Sequence, residues 1–220
     1  MSRIKCIAVA AMIMVAASAS AQFTNARQSG SSSVVNTDEW NSIWAEWNPS
    51  VFSPKHGDSE SFNAFSLGLS KAFNLTTSVP VFLEVGGGVQ YSFASDFMDY
   101  DDVTFSMLSV KVPLSLIYKF DIPNSSVSLM PNAGLDFRFN ILAKLSGDYD
   151  DEDLDVDLFD KDDMGSSDNT WNRFQIGWHI GLKAKLGQSF LLGASYGSDF
   201  SEIAEKVHIK TTTVSLGFTF

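Results

Sequence analysis

The last fourteen residues, VHIKTTTVSLGFTF from Val207 to Phe220, restrict the possible folds more than any other stretch of the chain. Val214, Leu216, Phe218 and Phe220 occupy one parity; Thr213, Ser215, Gly217 and Thr219 occupy the other. Strand side chains alternate between faces, so this is a strand with one apolar face and one small, polar face. A strand at the very end of a chain frays unless both of its edges are paired. Closing a ring against the first strand pairs both.

Seven more segments carry the same alternation, at 40–48, 61–73, 80–93, 103–120, 127–145, 171–186 and 189–198. In the third, Val81, Leu83, Val85, Val89 and Tyr91 alternate with Glu84, Gly86, Gly88 and Gln90. In the sixth, Phe174, Ile176, Trp178, Ile180 and Leu182 alternate with Gln175, Gly177, His179, Gly181 and Lys183. The first segment is ambiguous in phase; Ile43, Ala45 and Trp47 outward with Glu46 inward is the favoured choice. Several segments are far longer than the ~5–6 residues usual in soluble sheets and are long enough to cross a bilayer at a tilt. A lipocalin-like barrel would have to hold all the Phe, Leu, Val and Trp of the apolar parity inside, which is too much bulk for eight strands. The apolar parity therefore faces lipid, and Gly, Ala and Ser fill a narrow lumen.

Connections at 49–60, 94–102, 146–170 and 199–206 are long, and those at 74–79, 121–126 and 187–188 are short. That alternation puts loops on one side of a membrane and turns on the other, with both termini on the turn side. The expected fold is all-β: an eight-stranded antiparallel up-and-down transmembrane β-barrel over residues 39–220.

Ahead of it, Arg3 and Lys5, an apolar run through Val15 and the Ala19-Ser20-Ala21 site read as a cleaved signal peptide over 1–21. Residues 22–38 are polar and Ser-rich, a flexible periplasmic segment. The single cysteine, Cys6, lies in the leader, so the mature chain has no disulfide or thiol chemistry. Ten acidic residues and one lysine between Asp148 and Asp163 carry −9 of the chain's −11 and leave −2 for the rest. The acidity describes one loop. Without a basic face, a nucleic-acid partner is excluded.

Folding neighbouring strands about their loop midpoints sets Glu84 opposite Lys111 and Lys111 opposite Asp136, with Arg138 and His179 at similar height. These five residues form a lumen charge network, in which Lys111 lies between two carboxylates. Read catalytically, Glu84, Asp136 and His179 are an acid–base site; read structurally, they are a polar plug in a barrel too narrow for a channel. The plug is the favoured reading. The acidic loop, with Asp150, Asp151, Asp153, Asp155 and Asp157, is a solvated charge run that offers loose binding to a divalent cation. It lacks the glycine and closing glutamate of a calcium-binding loop, and its centre alternates like a strand beyond the membrane. No other cofactor is indicated. At the outer rim His56 and His208, with Ser59, Ser61, Glu60, Glu202 and Glu205, show no spacing that defines a triad.

The segments SVKVPLSLIYKF (109–120), SLMPNAGLDFRF (128–139), RFQIGWHIGL (173–182) and VSLGFTF (214–220) resemble the small bacterial outer-membrane β-barrel family often labelled PorT-like, similar in architecture to OmpA/OmpX-type barrels. The resemblance implies a Gram-negative cell outer membrane, surrounding membrane lipid, and a terminal signal at Val214, Leu216, Phe218 and Phe220 read by the barrel-assembly machinery. It supplies no shared catalytic residues. The expectation is a monomeric, non-enzymatic barrel with a structural or surface-interaction role. A rim enzyme acting on lipids and an accessory subunit of a secretion complex are the alternatives.

Overall fold

The computed structural model describes residues 39–95, 97, 103–149, 152–165 and 170–220. The expected signal peptide and periplasmic segment lie outside these residues. Eleven strands follow in order: β1 (Trp40–Trp47), β2 (Ser50–Pro54), β3 (Glu60–Asn74), β4 (Val81–Ala94), β5 (Thr104–Tyr118), β6 (Phe120–Asp121), β7 (Val127–Tyr149), β8 (Glu152–Asp157), β9 (Phe174–Leu186), β10 (Phe190–Asp199) and β11 (Val207–Thr219). All pairings are antiparallel, and they run β3, β4, β5, β7, β9, β10, β11. β1 and β2 then join β11 back to β3 and close the ring. Eight staves make an up-and-down barrel, as the closing strand required. The terminal residue is tied in as well: Phe220 N–H donates to Asn41 O at 2.9 Å, and Asn41 N–H donates to Phe220 O at 3.1 Å.

Eleven elements build eight staves because two staves are interrupted and a third carries an added hairpin strand. The first bends at Asn48-Pro49, where proline has no N–H for the ladder, and continues as β2. The expected loop at 49–60 is therefore only the link between Pro54 and Glu60. β6 is a short piece that pairs with β7 after β5 ends. β7 runs to Tyr149, past the expected end at 145, and turns back through β8 in the acidic stretch. The strand-like alternation seen there in the sequence is thus a real hairpin.

Parity decides direction throughout. On β3, Phe65, Leu67 and Leu69 are exposed, Leu67 at 61%, while Phe62, Ala64, Ser66 and Ser70 are buried. Val214, Leu216, Phe218 and Phe220 are likewise exposed on the outer wall. One bulge shifts this phase. Leu108 pairs with Leu142 and Ser109 with Asn140, so Ile141 is the extra residue. Beyond it Ala143 faces in and Leu142 faces out.

The interior is layered. At the turn end Trp40, Ala72, Phe82, Ile117, Met130 and Leu191 form an apolar plug. At the loop end Phe52, Phe62, Phe97, Phe105, Leu158 and Ile203 belong to a larger apolar cap. Val156, Phe159, Met164 and Trp171 pack against that cap. Polar and charged side chains fill only the belt between. The small, polar lumen expected from the sequence is therefore corrected at both ends, where the inward positions are aromatic and aliphatic. In the acidic stretch Val156, Leu158, Phe159 and Met164 face the cap, while Asp155, Asp160, Asp162 and Asp163 are exposed.

Candidate functional site: the charged belt of the lumen

The belt is built by inward positions of all eight staves, and glycine opposite glycine makes room for it. A Cβ at Gly68 or Gly88 would lie within 3 Å of the Trp44 indole. One at Gly134 would lie 2.0 Å from Leu114 O and 2.8 Å from His179 Cε1. His179 thus lies against bare backbone.

Lys111 on β5 is the hub. Its Nζ is 2.9 Å from Glu46 Oε2 on β1 and 3.8 Å from Asp136 Oδ1 on β7. Asp136 Oδ2 is 2.8 Å from His179 Nδ1 on β9, and His179 Nε2 is 2.9 Å from Ser115 Oγ on β5. Arg138 on β7 is paired with Asp199 on β10, and Lys183 on β9 with Glu84 on β4. Ser70 Oγ–H donates to Glu84 Oε1 at 2.9 Å. Hydroxyls and amides continue the network toward the loop end, with Ser109 donating to Asn140 at 2.7 Å and Thr213 donating to Asn48 at 2.8 Å. Charges removed from water need such partners, because a lone buried ion costs several kcal/mol.

The five residues singled out in the sequence all lie in this belt, but their register differs from the loop-midpoint reading. Glu84 is opposite Ser115, Lys111 opposite Gly88 on one side and Arg138 on the other, and Asp136 opposite Pro113. Lys111 does lie between two carboxylates; the second is Glu46, and Glu84 belongs to Lys183. His179 is opposite Gly134, four residues along β7 from Arg138. Loops that are not symmetric about their midpoints account for the slips. Sequence reasoning missed Ser115, Glu46, Lys183 and Asp199 as partners. Only parity marks the first three as inward, and parity does not say which inward residue meets which.

A cavity of about 60 Å³ lies in the belt, lined by Glu84, Lys111, Ser115, Asp136, His179 and Lys183 among others. A smaller one of about 30 Å³ adjoins Arg138 and Asp199. The first has room for about four to six water-sized groups.

The family model described as "Outer membrane protein beta-barrel domain" matches residues 46–202, most of the chain and the ring from the end of β1 through β10. The chain belongs to that outer-membrane β-barrel family. Membership implies a bacterial outer-membrane location for the barrel. No curated protein sequence matches it. Among solved structures the barrel is similar to Ail, the attachment invasion locus protein of Yersinia pestis, at 16% identity and a TM-score of 0.49, over 83% of this chain and 99% of that one. It is similar to Neisserial surface protein A at 17% identity and a TM-score of 0.45, over 82% and 97%. It is also similar to the outer membrane enzyme PagL at 12% identity and a TM-score of 0.46, over 78% and 97%. No role is carried over from any of them.

The barrel's rim candidates do not assemble. His208 Nε2 is 3.9 Å from Glu202 Oε1, and His208 Nδ1 is buried without a partner. Glu202 Oε2 accepts the Lys206 N–H at 3.1 Å, and Glu205 pairs with Lys206. Among the described residues no hydrogen bond joins His56 or His208 to Ser59 or Ser61. In the acidic hairpin, Asp150 and Asp151 lie outside the described residues, and Asp153 is placed only by its pairing with Asp148. Asp155 pairs with Lys144 at 3.1 Å, and Asp157 Oδ1 accepts the Phe159 N–H at 2.9 Å. Among the described residues no three acidic or histidine side chains converge as metal ligands would.

Proposed function

We propose that this protein is a closed, monomeric outer-membrane barrel with a structural or surface-interaction role, without an open pore and without chemistry at its outer rim. One observation carries the reading: the lumen is plugged at both ends, by the apolar plug around Phe82 and the apolar cap around Phe105, with the paired charges around Lys111 between them. The cap makes the outward end a folded surface. Trp171 N–H donates to Leu158 O at 2.9 Å, and Asn172 N–H donates to Ile203 O at 2.7 Å. Arg173 Nη1 donates to Ile141 O at 2.8 Å while its guanidinium lies over the Phe159 ring at 4.2 Å. Three consecutive residues thus fasten the acidic hairpin, the bulge of β7 and the β10–β11 loop to one another.

In this reading the leader is cleaved after Ala21 and the apolar wall contacts membrane lipid. Val214, Leu216, Phe218 and Phe220, all on the outer face of the last strand, serve the assembly machinery. A divalent cation, if taken, is held loosely by hairpin carboxylates rather than by a fixed ligand set. The test is single-channel recording from the purified barrel in planar bilayers. The reading expects no stepwise conductance; resolved open steps that persist after repurification would refute it.

A further inference from the structure

We propose that Ser115 is an activated nucleophile and that the lumen carries out acyl transfer on esters with a short acyl group. The proposal goes beyond the surface role and concerns the belt alone. It starts from the order Asp136, His179, Ser115. A carboxylate 2.8 Å from Nδ1 fixes which ring nitrogen donates and leaves Nε2 to accept from a hydroxyl 2.9 Å away. Nucleophile, base and orienting group within hydrogen-bond reach are the arrangement that acyl-transfer sites need. The three residues come from the neighbouring strands β5, β7 and β9, so a rigid sheet fixes their spacing. Gly134 lets the imidazole lie in the plane that reaches both partners.

Two further features separate this from a polar filling. First, the serine and histidine line the 60 Å³ cavity rather than dead-packed wall, and Lys111 and Lys183 line it too. Both ammonium groups are paired, Lys111 with Glu46 and Asp136 and Lys183 with Glu84, and their remaining N–H groups are the donors open to an oxyanion that forms on attack. Second, the adjoining wall has a weak seam. The β4–β5 ladder is interrupted between Val85↔Leu114 and Gly88↔Lys111, where Pro113 has no N–H to donate. Gly87 faces outward there with open space where a side chain would be, and Pro113 lines the same cavity. Entry of a small amphiphilic ester from the lipid is assigned to this seam, since both barrel ends are plugged.

In the reaction Ser115 Oγ attacks the ester carbonyl carbon as its proton passes to His179 Nε2. The tetrahedral adduct collapses by breaking the bond to the alcohol oxygen, and the alcohol leaves with that proton. Water then attacks the acyl-serine, giving its proton to Nε2. The carboxylic acid departs as that proton returns to Ser115 Oγ. Ester and water become acid and alcohol.

The test uses the full folded barrel in detergent and methanesulfonyl fluoride, a probe small enough for the cavity, with the adduct mapped by peptide mass spectrometry. Proton NMR follows hydrolysis of ethyl acetate in parallel. The expected result is a sulfonyl adduct on Ser115 in the unboiled barrel and none in the boiled chain. His179→Ala should slow labelling by about a hundredfold or more. Ser115→Ala, which changes little volume, should keep the folded gel mobility and lose both adduct and hydrolysis. Should His179→Ala fail to fold, His179→Gln takes its place. No adduct at Ser115 in the folded barrel would overturn the proposal, as would one that forms equally fast without His179.

Discussion

The lipid-facing wall and the lumen are built from the same strands, one residue out of step, and they obey different rules. On the wall, Phe65, Leu67 and Leu69 face a solvent that accepts any apolar side chain, so identity matters little and position hardly at all. In the lumen, Lys111 meets Glu46 and Asp136, Arg138 meets Asp199, and Lys183 meets Glu84. Each of these fits its place only because a particular residue on another stave answers it. The wall is specified by composition and parity, the lumen by pairing.

That contrast can be pressed from both sides. The largest effect is expected in the lumen: Asp199→Ala leaves the Arg138 guanidinium buried without its carboxylate and should cost about 3–5 kcal/mol in denaturant unfolding from micelles. The double change Arg138→Met with Asp199→Leu should recover most of that loss, and a failure to recover would mean the pair does more than cancel charge. On the wall, Leu67→Arg should cost about 2–4 kcal/mol if that position lies near the bilayer midplane, whereas Leu67→Phe should be close to neutral. A third change should stabilise. Gln175 is fully buried and neither polar atom of its side chain has a partner among the described residues. Gln175→Leu should therefore raise stability by about 1–3 kcal/mol, the usual penalty of an unsatisfied buried polar group.

The smallest effect lies at the turn end, outside both regions. The Ser128 hydroxyl donates to Asp121 at 2.5 Å and, with Lys119 nearby, holds that carboxyl below its usual 3.8 against the opposing effect of burial. A lowered folded value means the contribution is present above about pH 4 and fades as pH falls through the folded value. The side chain is largely exposed, so solvent screening limits the gain to a few tenths of a kcal/mol. Asp121→Asn should be slightly less stable than the parent at pH 7, with the gap narrowing as pH falls below about 4.

The wall was legible in the sequence because its rule is a period of two. Val214, Leu216, Phe218 and Phe220 announce it, and the whole ring follows from the need to pair the last strand on both edges. The lumen was legible only in part. Parity placed Glu84, Lys111, Asp136, Arg138 and His179 inside, yet their pairings depended on register, and register turned on unequal loops. Ser115 gave no signal, since an inward serine in a small barrel is unexceptional until a histidine is found beside it. The apolar cap was hidden for a different reason. Leu158, Phe159 and Met164 sit among aspartates, and the charge of that stretch masked the residues that seal the mouth.

Because residues 39–220 hold no cysteine, single cysteines can be introduced cleanly into the barrel and spin-labelled in a reconstituted bilayer. Labels at Leu67 and Val214 should collide readily with molecular oxygen dissolved in lipid. Labels at Ser66 and Thr213, one position along the same strands, should be shielded from it. The reverse pattern, with Ser66 and Thr213 in lipid and Leu67 and Val214 shielded, would contradict the barrel's orientation and everything inferred from it.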